Sequence, residues 1–255
     1  LVNAKSNYDI IDQLVYGSPE RKKIRVLEGW SVNQIADHLN DVMGFDREEI
    51  IDIANDHRML RKHGIKGTSM EGYLFPDTYF FFDGDSPGSI LNHLANEFKN
   101  FWTVGNLARA QQLNMTKHEV VTLASIIEGE ALYDKERPII SGVYHNRLNR
   151  GMRLQADPTI QYIIKDGPRR LLNQDLKIES PYNTYLYDGL PPGPINSPGK
   201  ESLRAALYPE DNDYLFFVAK GDGYHSFTLN EQDHNKAKRK FQKIRRNARK
   251  NKKKK

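Results

Sequence analysis

The 255-residue chain contains no cysteine. This excludes disulfides and thiolate metal sites, although it does not identify a compartment. Long apolar runs are missing as well: no stretch approaches the ~18 to 20 uninterrupted apolar residues of a membrane span, and no charged, apolar, small-residue succession marks a signal peptide. Because the chain begins at Leu1 rather than Met, an upstream targeting or anchoring segment can lie outside it. Catalytic punctuation is equally sparse. His118, His145, His225 and His234 share neither H-x-x-x-H nor HExxH spacing, and no G-x-S-x-G, P-loop or GxGxxG occurs. Zinc, serine-hydrolase and nucleotide chemistry are therefore unsupported. Without zinc-finger spacing, an RNP aromatic motif or a basic stripe through the body, nucleic acid is not an expected partner.

What is present suffices for a folded body. A hydrophobic content of 38% can bury a real core in one large or two small domains. The overall charge of +5 conceals an asymmetry, since 13 Lys or Arg and no acids fall between Asn235 and Lys255. The remainder carries 25 basic against 33 acidic residues, a net of −8. The basic character belongs to a terminal helix that is expected to be solvated.

Patterning predicts an α+β chain. Tyr8 to Val15 has the spacing of a short amphipathic helix. Lys23 to Leu27 reads as a strand, and Ser31 with Gln34 forms a capping box that opens a helix. Asp46 begins another. Glu71 to Phe82 is an aromatic-dense, Pro-broken connector with strand character, and its rings are assigned mostly to an interdomain core. A helix is expected from Ser89 toward Leu113, then one opening at Thr116, one over Asp134 to Leu148, and one started by Asp157 as N-cap with Pro158 behind it. Ser180 to Gly199 is an unusually long Pro- and Gly-rich loop, a type that is usually functional. Lys200 to Tyr208 is helical, Tyr214 to Leu229 a β-hairpin with a Gly-rich turn, and Asn230 caps the basic helix.

The chemistry concentrates on the Thr116 helix, where Thr116 and Glu119 make a second capping box and Val120, Leu123, Ala124, Ile127 and Ala131 recur at helical intervals. At about 100° per residue, Glu128 lies on one flank of this stripe and Glu130 on the other, so the two carboxylates diverge. Glu128 follows Ala124 by one turn and adjoins Ser125, small residues that leave room for a ligand. Partial burial there would raise its pKa toward that of a general acid working near neutrality. Glu128 is the expected proton donor and Glu130 the fallback. An alternative is a helix-flank glutamate paired with a surface Lys or Arg. A lone positioned acid, a polar Pro-shaped loop and no metal cluster point to glycosidic bond cleavage without a cofactor.

Several ordered segments carry a family resemblance. They are Glu28 to Trp30 (EGW), Glu71 to Thr78 (EGYLFPDT), Ala124 to Glu130 (ASIIEGE), Val143 to Leu148 (VYHNRL), Gly151 to Thr159 (GMRLQADPT), Ser180 to Tyr185 (SPYNTY), Gly189 to Pro194 (GLPPGP) and His225 to Phe227 (HSF). Together, from about Lys23 to about Lys240, they resemble the endolytic murein transglycosylase (YceG-like) family. The resemblance implies a small LysM-like unit followed by a mainly helical, lysozyme-like catalytic domain. The divisions expected are a helical remnant over 1–20, the LysM-like unit and connector over 21–110, the catalytic domain over 111–240 and a basic tail over 241–255. It also implies an extracytoplasmic body held by one N-terminal membrane helix absent from this chain, with peptidoglycan glycan strands as substrate and cell-wall synthases as possible neighbours. The family usually has Lys where this chain has Gly129, a change expected to cost helix stability on the order of 1 kcal/mol.

The implied reaction needs one acid. Glu128 would protonate the oxygen between N-acetylmuramic acid and N-acetylglucosamine, then accept the muramoyl C6 hydroxyl proton as a 1,6-anhydro ring closes. A two-carboxylate glycosidase differs by using a second acid at the anomeric carbon. Asn146, Gln155, Asp157, Tyr182, Asn183, Thr184 and Asn196 are assigned to substrate binding or to orienting the acid, and each could instead be a buried structural hydrogen-bonder.

Overall fold

The computed structural model describes residues 21–165 and 167–252, together with Ser6 and Tyr8. The helix expected over Tyr8 to Val15 falls outside the described residues apart from Tyr8. The first described strand, β1 (Arg21–Arg25), pairs antiparallel with β2 (Thr78–Phe82), with Ile24 opposite Tyr79. Between them run α1 (Val32–Met43), α2 (Arg47–Asn55) and α3 (His57–His63). Local chemistry sets these boundaries: Ser31 and Gln34 cap α1 reciprocally, and Gly44 ends it in the left-handed conformation at φ 76°. Asp46 and Asp56 cap the next two helices.

A single helix expected from Ser89 toward Leu113 is instead two, α4 (Pro87–Asn100) and α5 (Val104–Gln112). Thr103 accepts a hydrogen bond from the Asn106 N–H and starts a new helix, while Phe101 and Trp102 pack edge to face at 5.5 Å in the break. Packing two half-buried aromatic rings against the core outweighs continuing a helix across residues of modest propensity.

At the centre lies α6 (Lys117–Glu130), opened by the reciprocal Thr116 and Glu119 cap. Every residue from Val120 to Ile127 is buried, so the helix is enclosed on all sides rather than presenting a stripe. Its two buried hydroxyls are satisfied along the helix, Thr122 donating to the His118 carbonyl and Ser125 to the Thr122 carbonyl. Around it pack α7 (Arg137–Asn149), preceded by a short 3₁₀ turn, then α8 (Asp157–Ile163) and α9 (Lys200–Leu207). The hairpin β3 (Phe216–Ala219) and β4 (His225–Thr228) follows, covered by α10 (Glu231–Lys252), whose first turn Asn230 caps by accepting from the Asp233 N–H. The apolar core is contiguous from Ile24 to Leu207. The result is a helix-dominated α+β fold. Among the described residues no helix is long and apolar enough to cross a membrane.

Candidate active-site cleft

The last turn of α6 sends three consecutive residues to three different places. Glu128 points into a polar tie: its Oε1 meets Arg137 Nη1 at 3.0 Å, and its Oε2 accepts from the Gly199 N–H at 2.9 Å. Both side chains of the ion pair are only 7% exposed. Arg137 also donates to Asp134 and Ser202, so the cluster joins α6, α7 and the start of α9. Both Glu128 oxygens are engaged in these contacts, and Glu128 lines neither of the two cavities that flank the end of α6. The flank argument loses its force because α6 is buried all round, so no stripe edge singles out one face.

Glu130 faces the other way. Tyr144 on α7 donates its hydroxyl to Oε1 at 2.9 Å, and Oε2 has no protein partner among the described residues. Burial pushes this carboxyl up to about 7; the negative charge of Asp157 acts in the same direction, against the Tyr144 hydrogen bond and the Arg147 guanidinium. A carboxyl half-protonated near neutrality with one oxygen toward a cleft has the properties of a general acid.

Gly129, between them, abuts the first turn of α8. A Cβ there would stand 2.6 Å from the Pro158 Cβ. The absence of a side chain is what lets α8 approach, and with it Asp157. Asp157 does not cap α8: Ala156 occupies that position, and Asp157, the first helical residue, accepts instead from the Tyr185 hydroxyl at 2.5 Å.

Two adjoining cavities share Glu130 and Asp157. One, of about 390 Å³, runs between Gln155, Arg147 and Tyr185 and a wall formed by β3, His225 and the first half of α10. The other, of about 680 Å³, runs past Asn196, Pro158 and Tyr162 to Ser31 and Gln34 at the start of α1. The two acids therefore stand in the middle of a long cleft rather than at its end.

Of the residues expected to bind substrate, Gln155, Asp157 and Asn196 line this cleft. Gln155 adopts φ 49°, a strained left-handed conformation for a non-glycine residue, fixed by its N–H donating to the Thr184 carbonyl. Asn196 donates to the Ser125 carbonyl at 2.9 Å while its own Oδ1 is buried without a partner. Tyr182 sits behind the wall, its ring 5.0 Å from that of Tyr162. The other three line neither cavity and hydrogen-bond within the fold. Asn146 straps the Asn212 and Tyr214 carbonyls, Asn183 the Leu176 and Ile178 carbonyls, and the Thr184 hydroxyl accepts from the Ala156 N–H at 2.9 Å. Tyr144, Arg147, Tyr185 and the α10 residues His234, Lys238 and Phe241 were not singled out as site residues. Tyr144 lies fourteen residues beyond Glu130 in a motif already noted, but only the crossing of α6 and α7 brings them together.

Comparison with known proteins agrees with this architecture. A YceG-like family profile matches residues 1–240. An endolytic murein transglycosylase from Bacillus subtilis is 36% identical over 86% of this chain and 65% of its own length. One from Streptococcus pneumoniae is 29% identical over 92% of this chain and 48% of its own. The chain thus spans less than two thirds of either relative. A crystal structure of a yceG-like protein from Listeria monocytogenes superposes with a TM-score of 0.77 at 31% identity, covering 91% of this chain and 81% of that one. The fold, the family profile and the order of motifs converge: the chain belongs to the YceG-like family.

Proposed function

We propose that this protein is an endolytic lytic transglycosylase of peptidoglycan in which Glu130, rather than Glu128, is the acid. The observation that carries the reading is the position of Glu130 between two open cavities that share it with Asp157. A glycan strand lying through both would be cut internally. The relatives' names give the same activity.

In the reaction, the protonated Oε2 of Glu130 donates to the oxygen linking N-acetylmuramic acid to N-acetylglucosamine. The bond to the muramoyl C1 breaks, and positive charge develops across C1 and the ring oxygen. Asp157, oriented by Tyr185, supplies negative charge beside that centre. The Glu130 carboxylate, steadied by Tyr144, then takes the proton of the muramoyl C6 hydroxyl as O6 bonds to C1. The products are a 1,6-anhydro end and a free N-acetylglucosamine hydroxyl, and Glu130 returns to its acid form. Gln155 and Asn196 offer amides to hydroxyls and acetamido groups. The unit from β1 to β2 serves as a LysM-like holder of the strand, with Ser31 and Gln34 at one end of the cleft. The body works outside the cytoplasmic membrane, anchored N-terminally beside the synthases that make the strand.

A second reading, hydrolysis, is favoured by the proximity of Asp157, which supplies the second carboxylate that a two-acid mechanism requires. Mass spectrometry of fragments from uncrosslinked glycan strands separates the two. Anhydro ends are expected; reducing ends would establish hydrolysis, and no new ends would leave a noncatalytic glycan-binding scaffold. Replacing Glu130 by Gln should lower turnover by about 10² to 10⁴ with unchanged circular dichroism. Near-normal turnover by that variant would end the assignment.

A further inference from the structure

A separate cavity of about 260 Å³ lies at the opposite end of α6, between α3, α4 and the first residues of α6. It is some 20 Å from Glu130, given the ~1.5 Å rise per residue along the helix. Its lining holds Lys66, Lys99, Lys117, His63 and His118 and no carboxylate. Among the described residues none of the three lysines has an acidic partner within 4.0 Å. The indole Nε1 of Trp102 on the wall is buried without a hydrogen-bond partner, whereas the buried His63 ring lies beside the Asn92 side chain. His118 is already committed, its Nε2–H donating to the Pro192 carbonyl and its Nδ1 accepting from the Tyr73 hydroxyl, each at 2.7 Å.

We propose that this cavity binds the free carboxylate end of a short peptide, with the lysines meeting the carboxylate and the apolar walls taking the aliphatic body. Phe98, Trp102 and Ala95 supply those walls. A bare phosphate would satisfy the charge but leave the aromatic surface uncovered, whereas an acylated dipeptide covers both. The three lysines are exposed at the cavity rim, with Lys117 Nζ 5.5 Å from the Trp102 ring centroid, so positive charge and aromatic surface meet at one concave place. The inference rests on the proposed function only in its source of peptide, since the stem peptides of a peptidoglycan strand end in carboxylates. It links the strand to the protein at a second point far from the scissile bond. His118 joins this cavity to the Pro192 segment, four residues before Asn196 of the cleft.

The test uses binding rather than turnover, so its failure is distinguishable from failure of the catalytic reading. N-acetyl-alanyl-alanine is titrated into the full chain while the His63 and Trp102 side-chain resonances are followed by NMR, with the C-terminal amide of the same dipeptide and inorganic phosphate as separate arms. Saturable shifts are expected for the acid, together with a rise in the His63 pKa on binding, because burial and then the Lys99 charge hold it below the usual value, against the Asn92 hydrogen bond, and a nearby anion offsets the Lys99 charge. Lys99→Gln combined with Lys117→Gln should weaken binding at least about tenfold, or ~1.4 kcal/mol. Equal binding of the amide, tighter binding of phosphate, or no saturable shift would overturn the proposal.

Discussion

Two glutamates separated by one residue meet different surroundings at the end of α6, and substitution should separate the roles proposed for them. Glu128→Gln removes the charge opposite buried Arg137, leaving the more exposed Asp134 as its direct ion-pair partner, with the Glu28 carboxyl also close enough to feel the guanidinium. Breaking such a pair should cost on the order of 3 kcal/mol, read as a lower urea midpoint, while activity of the folded fraction stays close to wild type. Loss of turnover with no loss of stability would return the catalytic role to Glu128. Gly129→Ala tests the spacing between them. Alanine gains roughly 1 kcal/mol of helix propensity, but the Pro158 ring is rigid and the overlap must be relieved by moving α8, at about 1 to 3 kcal/mol. The second effect should win, so the variant is modestly less stable. As Asp157 retreats, its field on Glu130 weakens, and the carboxyl becomes a stronger acid. The alkaline limb of the rate profile, where the proton is lost, should therefore move to lower pH. An unmoved limb would show that Asp157 does not set the Glu130 proton affinity.

At the scale of elements, the caps were legible because they are local. Ser31 with Gln34 and Thr116 with Glu119 need only four residues to declare a helix start, and both form as read. The break at Phe101 was not legible, because it depends on where two aromatic rings find a core. Nor was the choice between Glu128 and Glu130, since periodicity gives their divergence but not which side is a cleft. Their surroundings come from Tyr144, Asp157 and Arg137, which arrive from other helices. The basic C-terminal helix shows the same limit: its charge run suggests a solvated tail, yet His234, Lys238 and Phe241 on its first half line the cleft. Deleting residues 248–255 should leave turnover near wild type. Deleting 231–255 removes that wall and uncovers the β-hairpin, so KM should rise and stability fall. Equal activity of the two truncations would remove α10 from the site.

For the molecule as a whole, buried ionisable groups make stability depend on pH with opposing signs. Burial pushes the Glu71 carboxyl up to about 8, although the Val32 N–H at the start of α1 donates to it at 3.1 Å. A raised acid keeps its proton in the folded state when the unfolded chain has lost it. Its contribution is complete below the unfolded value near 4.5 and is lost as pH rises through about 8. Glu130 acts likewise up to about 7. His234 opposes them, because burial lowers its pKa to about 4, so its contribution is present above 6.5 and lost as pH falls toward 4. Below pH 6.5 the acids and the histidine partly cancel. Between about 6.5 and 8 Glu71 dominates, and at about 1.4 kcal/mol per pH unit the fall should approach 2 kcal/mol. Urea unfolding at several pH values reads it directly. Glu71→Gln keeps a carbonyl acceptor for Val32 without a titrating proton, and should flatten the curve over this window. A slope unchanged in that variant would mean that some other group binds the proton, and that Glu71 is ionised in the folded protein.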